Sequence, residues 1–98
     1  MPVRREIEIE ASPQEVWDAL ATDEGRERWL DEPDRTIHVE TADPPHRLVW
    51  WWWEGEQPAT RVELIVVAVP AGARVLVVES VPAFPLAALA ARFALVAA

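Results

Sequence analysis

The chain has 98 residues, no cysteine, and seventeen acidic against nine basic side chains, for a formal charge of -8. That length suits one domain, close to the size at which a single core becomes self-sufficient. Without Cys there is no disulfide framework, thiolate metal site or cysteine nucleophile, and an acidic surface whose only basic residues are arginines repels phosphates, which argues against nucleic-acid binding.

The opening MPVRREIEIE lacks the apolar core of a secretory leader, so a reducing, cytoplasmic setting is expected. REIEIEA then alternates. Ile7, Ile9 and Ala11 share one face, while Glu6, Glu8 and Glu10 share the other, which predicts a half-buried strand with an acidic, solvated back. In SPQEVWDAL, Ser12 is an N-cap, Pro13 holds the first helical position and Glu15 completes a capping box. Val16, Trp17 and Leu20 fall on one side of this short helix. A second helical piece is predicted over residues 23–30, weakened by Gly25. Its Asp23, Glu24, Arg26, Glu27 and Arg28 read as a solvated face. Neither helix can stand alone in water, so both must lie on something larger.

From Asp34 the period becomes two. RTIHVE points Ile37 and Val39 inward and His38 and Glu40 outward. The turn ADPP leads into HRLVWWWW, EGEQPA turns the chain again, TRVELIVVAV is a long strand, PAGA a tight turn, and RVLVVES the last strand. Turns this short pair neighbouring strands antiparallel. The tail FPLAALAARFALVAA is helical by composition, with Leu86, Leu89, Phe93 and Val96 as one stripe; it is too short for a membrane span, which needs ~20 residues. The whole is expected to be one α+β domain, residues 1–98, with about five strands, two short helices after the first strand and a C-terminal helix gripped by the sheet.

REIEIEASPQEVWDAL, TDEGRERWL, PPHRLVWWW, TRVELIVV and ARVLVVES resemble, in order, the landmarks of the SRPBCC or START-like superfamily, and within it the branch similar to the heat-shock-protein ATPase activator. The likeness covers about residues 3–82. It implies a helix-grip fold, an antiparallel sheet wrapped on a C-terminal helix, often with an apolar ligand pocket between them. Two stretches depart from the pattern and make this a shortened member. Only DRTIHVETA stands where relatives usually insert a further hairpin, and the last helix lacks the usual polar outer positions.

In the register that the resemblance implies, Leu48, Trp50, Trp52, Val62, Leu64, Val66, Val75 and Val77 face the helix. A modest cavity is then expected to be lined by Trp17, Trp50, Trp52, Leu64, Leu89 and Phe93. Glu79, two residues beyond Val77, points to the same side; it either meets a ligand there or reaches water at the strand end. The opposite face carries Val49, Trp51, Trp53, Ile65, Val67, Leu76 and Val78. Seven such side chains could expose roughly 600 Å², above the few hundred of a typical monomer's largest patch. A second copy laid sheet on sheet is the simplest cover, and a dimer is expected.

A void of ~300 Å³ left dry would cost about 7 kcal/mol, which rivals the stability of a small domain. A small or collapsed cavity is therefore expected in one copy. His38 and His46 have no HxxxH or HxxE spacing, so no metal site is expected, and no cofactor motif occurs. With Glu79 lacking a second acid, base or nucleophile, no catalytic residue is assigned. The reading that follows is a non-catalytic START-like domain binding a small apolar ligand and self-associating through its tryptophan-rich face. The alternatives are a co-chaperone-like interaction module without a small ligand and, behind it, a cyclase-type enzyme.

Overall fold

The computed structural model describes residues 2–94. In chain order these form β1 (Val3–Ile9), α1 (Pro13–Ala21), α2 (Asp23–Glu27), β2 (Arg35–Asp43), β3 (Arg47–Glu54), β4 (Thr60–Val69), β5 (Gly72–Glu79) and α3 (Leu86–Ala94). The strands make one sheet in the order β1-β5-β4-β3-β2, every neighbouring pair antiparallel. This is the expected α+β helix-grip arrangement. Val96, the last member of the predicted stripe, lies outside the described residues. Among the described residues, no helix is long and apolar enough to cross a membrane.

Local chemistry sets the helix ends. Ser12 Oγ accepts the Glu15 N–H at 3.2 Å while the Glu15 carboxylate accepts the Ser12 N–H at 3.3 Å, a closed capping box. Thr22 Oγ1 accepts the Gly25 N–H at 2.9 Å and so starts α2. That helix is shorter than predicted and stops at Glu27. The Arg28 N–H turns back to the Gly25 carbonyl, and Trp29 swings into the core, where its indole N–H donates to the Ala19 carbonyl at 2.8 Å. Core burial of Trp29 wins over the weak propensity of a glycine-bearing helix.

The hairpins hold the predicted register. Leu48 stands opposite Leu64, which stands opposite Val77; Trp50 stands opposite Val62, which stands opposite Glu79. The eight inward residues of β3, β4 and β5 named above are at most 1% exposed. At the β4–β5 turn Gly72 has φ +148°, and a Cβ there would come within 2.4 Å of the Ile9 carbonyl oxygen, so only glycine lets this turn sit against the end of β1. The run of tryptophans contains no irregularity. The bulge falls on its partner β2 instead, between Val39 and Thr41, and leaves Glu40 without an opposite number.

The inner face of the sheet is covered by several short pieces. α1 lies over β4 and β5, and α3 lies beside β1. Val16, Leu20, Leu86 and Leu89 join the same core as Trp50 and Trp52.

Candidate functional site

On the inner face, alternation brings Trp50 and Trp52 side by side with ring centroids 5.7 Å apart. Phe84, from the irregular segment after β5, places its ring 5.9 Å from Trp50, 6.2 Å from Trp52 and 5.7 Å from Trp29. Trp50, Trp52, Leu64 and Leu89 have no exposed surface, and Trp17 has 6%. Phe93 is partly buried and packs against the core that holds this cluster. It lines a surface groove of about 640 Å³ together with Asp18, Thr22, Arg28 and Arg92. A second groove of about 640 Å³ runs between α2 and β2 past Arg26, Leu30 and Ile37. A third, about 340 Å³, lies at the β3–β4 turn between Arg35, Trp52, Thr60, Val81 and Ala83. Trp17, Trp50, Leu64 and Leu89 line none of these three.

Sequence reasoning missed three arginines around this cluster. Arg26, read as part of a solvated face, instead donates to the Leu20 carbonyl at 2.9 Å and sits 5.8 Å from the Trp50 ring centroid. Arg35 stands 4.2 Å over the Trp52 ring. Arg5 points inward from β1. The count of two that placed Ile7 and Ile9 on the inner face puts Arg5 there as well, and Ile37 does the same for Arg35, so the signal was present. Among the described residues, four buried nitrogens of the cluster and its surroundings have no hydrogen-bond partner: the indole Nε1 of Trp50 and of Trp52, and the Nε of Arg5 and of Arg35.

Glu79 is inward, as counted, and only 2% exposed. It does not reach water. One carboxylate oxygen takes the Arg5 guanidinium; the other accepts the backbone N–H of Ala83 at 3.1 Å and of Phe84 at 3.0 Å. Arg5 also donates to the Phe84 carbonyl at 2.7 Å. The two side chains therefore form a bracket that ties the chain after β5 back over the sheet and positions the Phe84 ring. A carboxylate so occupied has three of its roughly four acceptor sites taken by the protein itself.

The outer face departs from the expected bare apolar surface. Val49 has no exposed surface, since Arg47 and Trp51 flank it on β3 and Thr41 and Glu63 stand across from it. It therefore contributes nothing that a second copy could touch. Trp51, Trp53, Ile65, Leu76 and Val78 are half-buried, and Val67 is 40% exposed. Charged side chains pair with one another among these apolar residues. Arg47 pairs with Glu63 at 2.6 Å and Arg61 with Glu40 at 3.1 Å, while the Trp51 indole N–H donates to Glu40 at 2.9 Å. Glu40 is outward by alternation with His38, and the bulge brings Thr41 to the same face, opposite Val49.

The Arg61 hydrogen bond, helped by that of Trp51, holds the Glu40 carboxyl below the usual carboxylate range and raises Arg61 in turn. Glu40 thus adds stability above its unfolded pKa, and that contribution disappears as pH falls through its lowered folded value. Carbon-detected NMR should find Glu40 titrating below an ordinary glutamate, and Arg61→Gln should move it back up. An ordinary value in the unmodified protein would contradict the pairing.

His38 lies on the outer face opposite Trp51, and His46 Nδ1 lies 3.3 Å from the Val66 carbonyl. Among the described residues, no three His, Asp or Glu side chains converge as a metal-ligand set.

A five-stranded antiparallel sheet, two short helices after its first strand and a last helix against its inner side define a helix-grip fold. No protein-family model and no curated protein matches the chain. Solved structures do. A protein from Chromobacterium violaceum superposes with a TM-score of 0.69 at 15% identity over 94% of this chain and 96% of that one. The Aha1 dimer from Colwellia psychrerythraea gives 0.68 at 19% identity, over 97% and 89%. DynU16, from the dynemicin biosynthetic locus, gives 0.71 at 22% identity over 95% of this chain but only 42% of its own. At these identities the likeness is one of fold.

Proposed function

We propose that this chain is a non-catalytic binding module of the helix-grip fold that self-associates through the Trp51 and Trp53 side of its sheet. The observation that carries this reading is the combination of a filled interior with a partly apolar exterior. Phe84 and four tryptophans take up the space under the sheet, while Trp51, Trp53, Ile65, Val67, Leu76 and Val78 sit together on three adjacent outer strands. Sheet-on-sheet packing about a two-fold axis covers such a face on both copies at once. The solved Aha1 dimer supports association as a habit open to proteins of this shape. Glu79, fully engaged by Arg5 and the backbone, supports a non-catalytic reading.

Light scattering is expected to give a dimer mass for the unmodified protein and a monomer mass for the Trp51→Thr, Trp53→Thr double variant. An unchanged mass in the folded variant would falsify the interface.

One observation favours a second reading, in which a small apolar ligand binds between sheet and C-terminal helix beside Trp17, Trp50, Trp52, Leu64, Leu89 and Phe93. The indole N–H groups of Trp50 and Trp52 are buried without partners, and a packed core seldom leaves such donors idle. Native mass spectrometry of freshly purified protein tests it through any co-purified compound.

A further inference from the structure

We propose that the groove at the β3–β4 turn is the mouth of a binding site for a planar aromatic molecule bearing a carbonyl or carboxylate oxygen, with Phe84 as the chain's own stand-in for the guest ring. The proposal rests on the ligand-binding reading above and adds to it the entrance, the ligand class and the gate.

The groove, about 340 Å³, has Arg35, Trp52 and Thr60 on one side and Val81 and Ala83 on the other, with Glu54 also lining it. Two of those residues carry buried N–H donors without partners, Trp52 through Nε1 and Arg35 through Nε. Arg35 forms an ion pair with Glu32, whose carboxylate oxygen lies 3.6 Å from Nε, too far for a hydrogen bond, so an entering acceptor would compete with that pair. A third idle donor, Trp50 Nε1, lies on the ring packed against Trp52. Idle donors on three side chains that pack on one another ask for an acceptor, and a donor set that includes a guanidinium favours a carboxylate or a polarised carbonyl oxygen. Walls of indole and phenyl rings favour a flat aromatic body behind that oxygen.

Phe84 supplies the gate. Its ring is held among Trp29, Trp50 and Trp52, and the next residue toward the groove is Ala83, which lines it. Residues 80–85 form neither helix nor strand, and Ser80, Val81 and Pro82 are exposed. The polar hold on this strap described above comes from Glu79 and Arg5. When the strap lifts, the Phe84 ring leaves, the groove runs on into the space between the three tryptophans, and a guest ring takes that place.

The test follows the six indole N–H resonances by NMR while 2-naphthoate, 2-acetylnaphthalene or naphthalene is added to the full chain. The two oxygen-bearing probes are expected to move the Trp50 and Trp52 resonances, leave Trp51 in place, and bind about tenfold tighter than naphthalene. Phe84→Leu should tighten binding about tenfold by lowering the cost of expelling the plug. Trp52→Phe and Arg35→Gln, each made in the otherwise unmodified chain, should weaken it about tenfold, and they keep the question answerable if the Phe84 variant does not fold. Probe binding that ignores Trp52, Arg35 and Phe84 places the ligand elsewhere and overturns this site alone. No binding of any probe to the unmodified chain or to folded Phe84→Leu overturns the ligand reading with it.

Discussion

Glu79→Ala is expected to cost about 3–5 kcal/mol of folding stability. The substitution leaves the Arg5 guanidinium and the N–H groups of Ala83 and Phe84 without their acceptor in a place where water has little access. Arg5 keeps 36% of its side-chain surface, so part of its charge can rehydrate and the lower end of that range is the better expectation. Against a total of about 5–15 kcal/mol for a domain of this kind, this is a large fraction. Glu79→Gln retains a carbonyl oxygen of the same shape and should cost less, about 1–3 kcal/mol. Urea unfolding of both variants measures the difference. A loss below about 1 kcal/mol for the alanine would show that the strap is held by something other than the bracket.

Phe84→Ala should be comparably severe, about 3–5 kcal/mol, because it empties a site walled by three tryptophan rings that cannot collapse around a methyl group. The more telling experiment combines the two changes. Breaking the bracket frees the strap, and emptying the plug removes the reason for the strap to lie down, so each change forfeits part of what the other forfeits. The double variant is therefore expected to lose less than the sum, with a coupling of about 0.5–3 kcal/mol. Additive losses would mean that Phe84 is seated independently of Glu79 and would remove the gate from the proposal above. Trp fluorescence of the folded single variants offers a second readout, since the rings around Phe84 change neighbours when it leaves.

The inner cluster shows why some of this was legible in the sequence and some was not. A period of two is a local property, so β3, β4 and β5 announced which residues share a face, and the register implied by the family resemblance put Trp50, Val62, Leu64 and Val77 on the inner one. The capping box is equally local, since Ser12 and Glu15 need only each other. Phe84 had no such signal. It sits in an irregular stretch with no period, and its position is decided by a carboxylate five residues earlier and an arginine on a strand at the other end of the chain. Val49 was assigned to the outer side by the register that the resemblance implies, but it is buried where Arg47 and Glu63 pair across two strands. The charge of such residues is visible in the sequence, whereas their reach is not.

The sequence by itself determined the elements, their order, which residues of the three central strands share a face and the absence of thiol chemistry, because each of these follows from composition or from neighbours within a few positions. Only the tertiary structure decided that Phe84 packs beneath the sheet, that Glu79 is spent on Arg5 and a backbone strap, and that Trp51 and Arg61 both meet the Glu40 carboxylate. Those outcomes depend on which side chains meet across long loops of chain, and burial rather than spacing selects among the possible meetings.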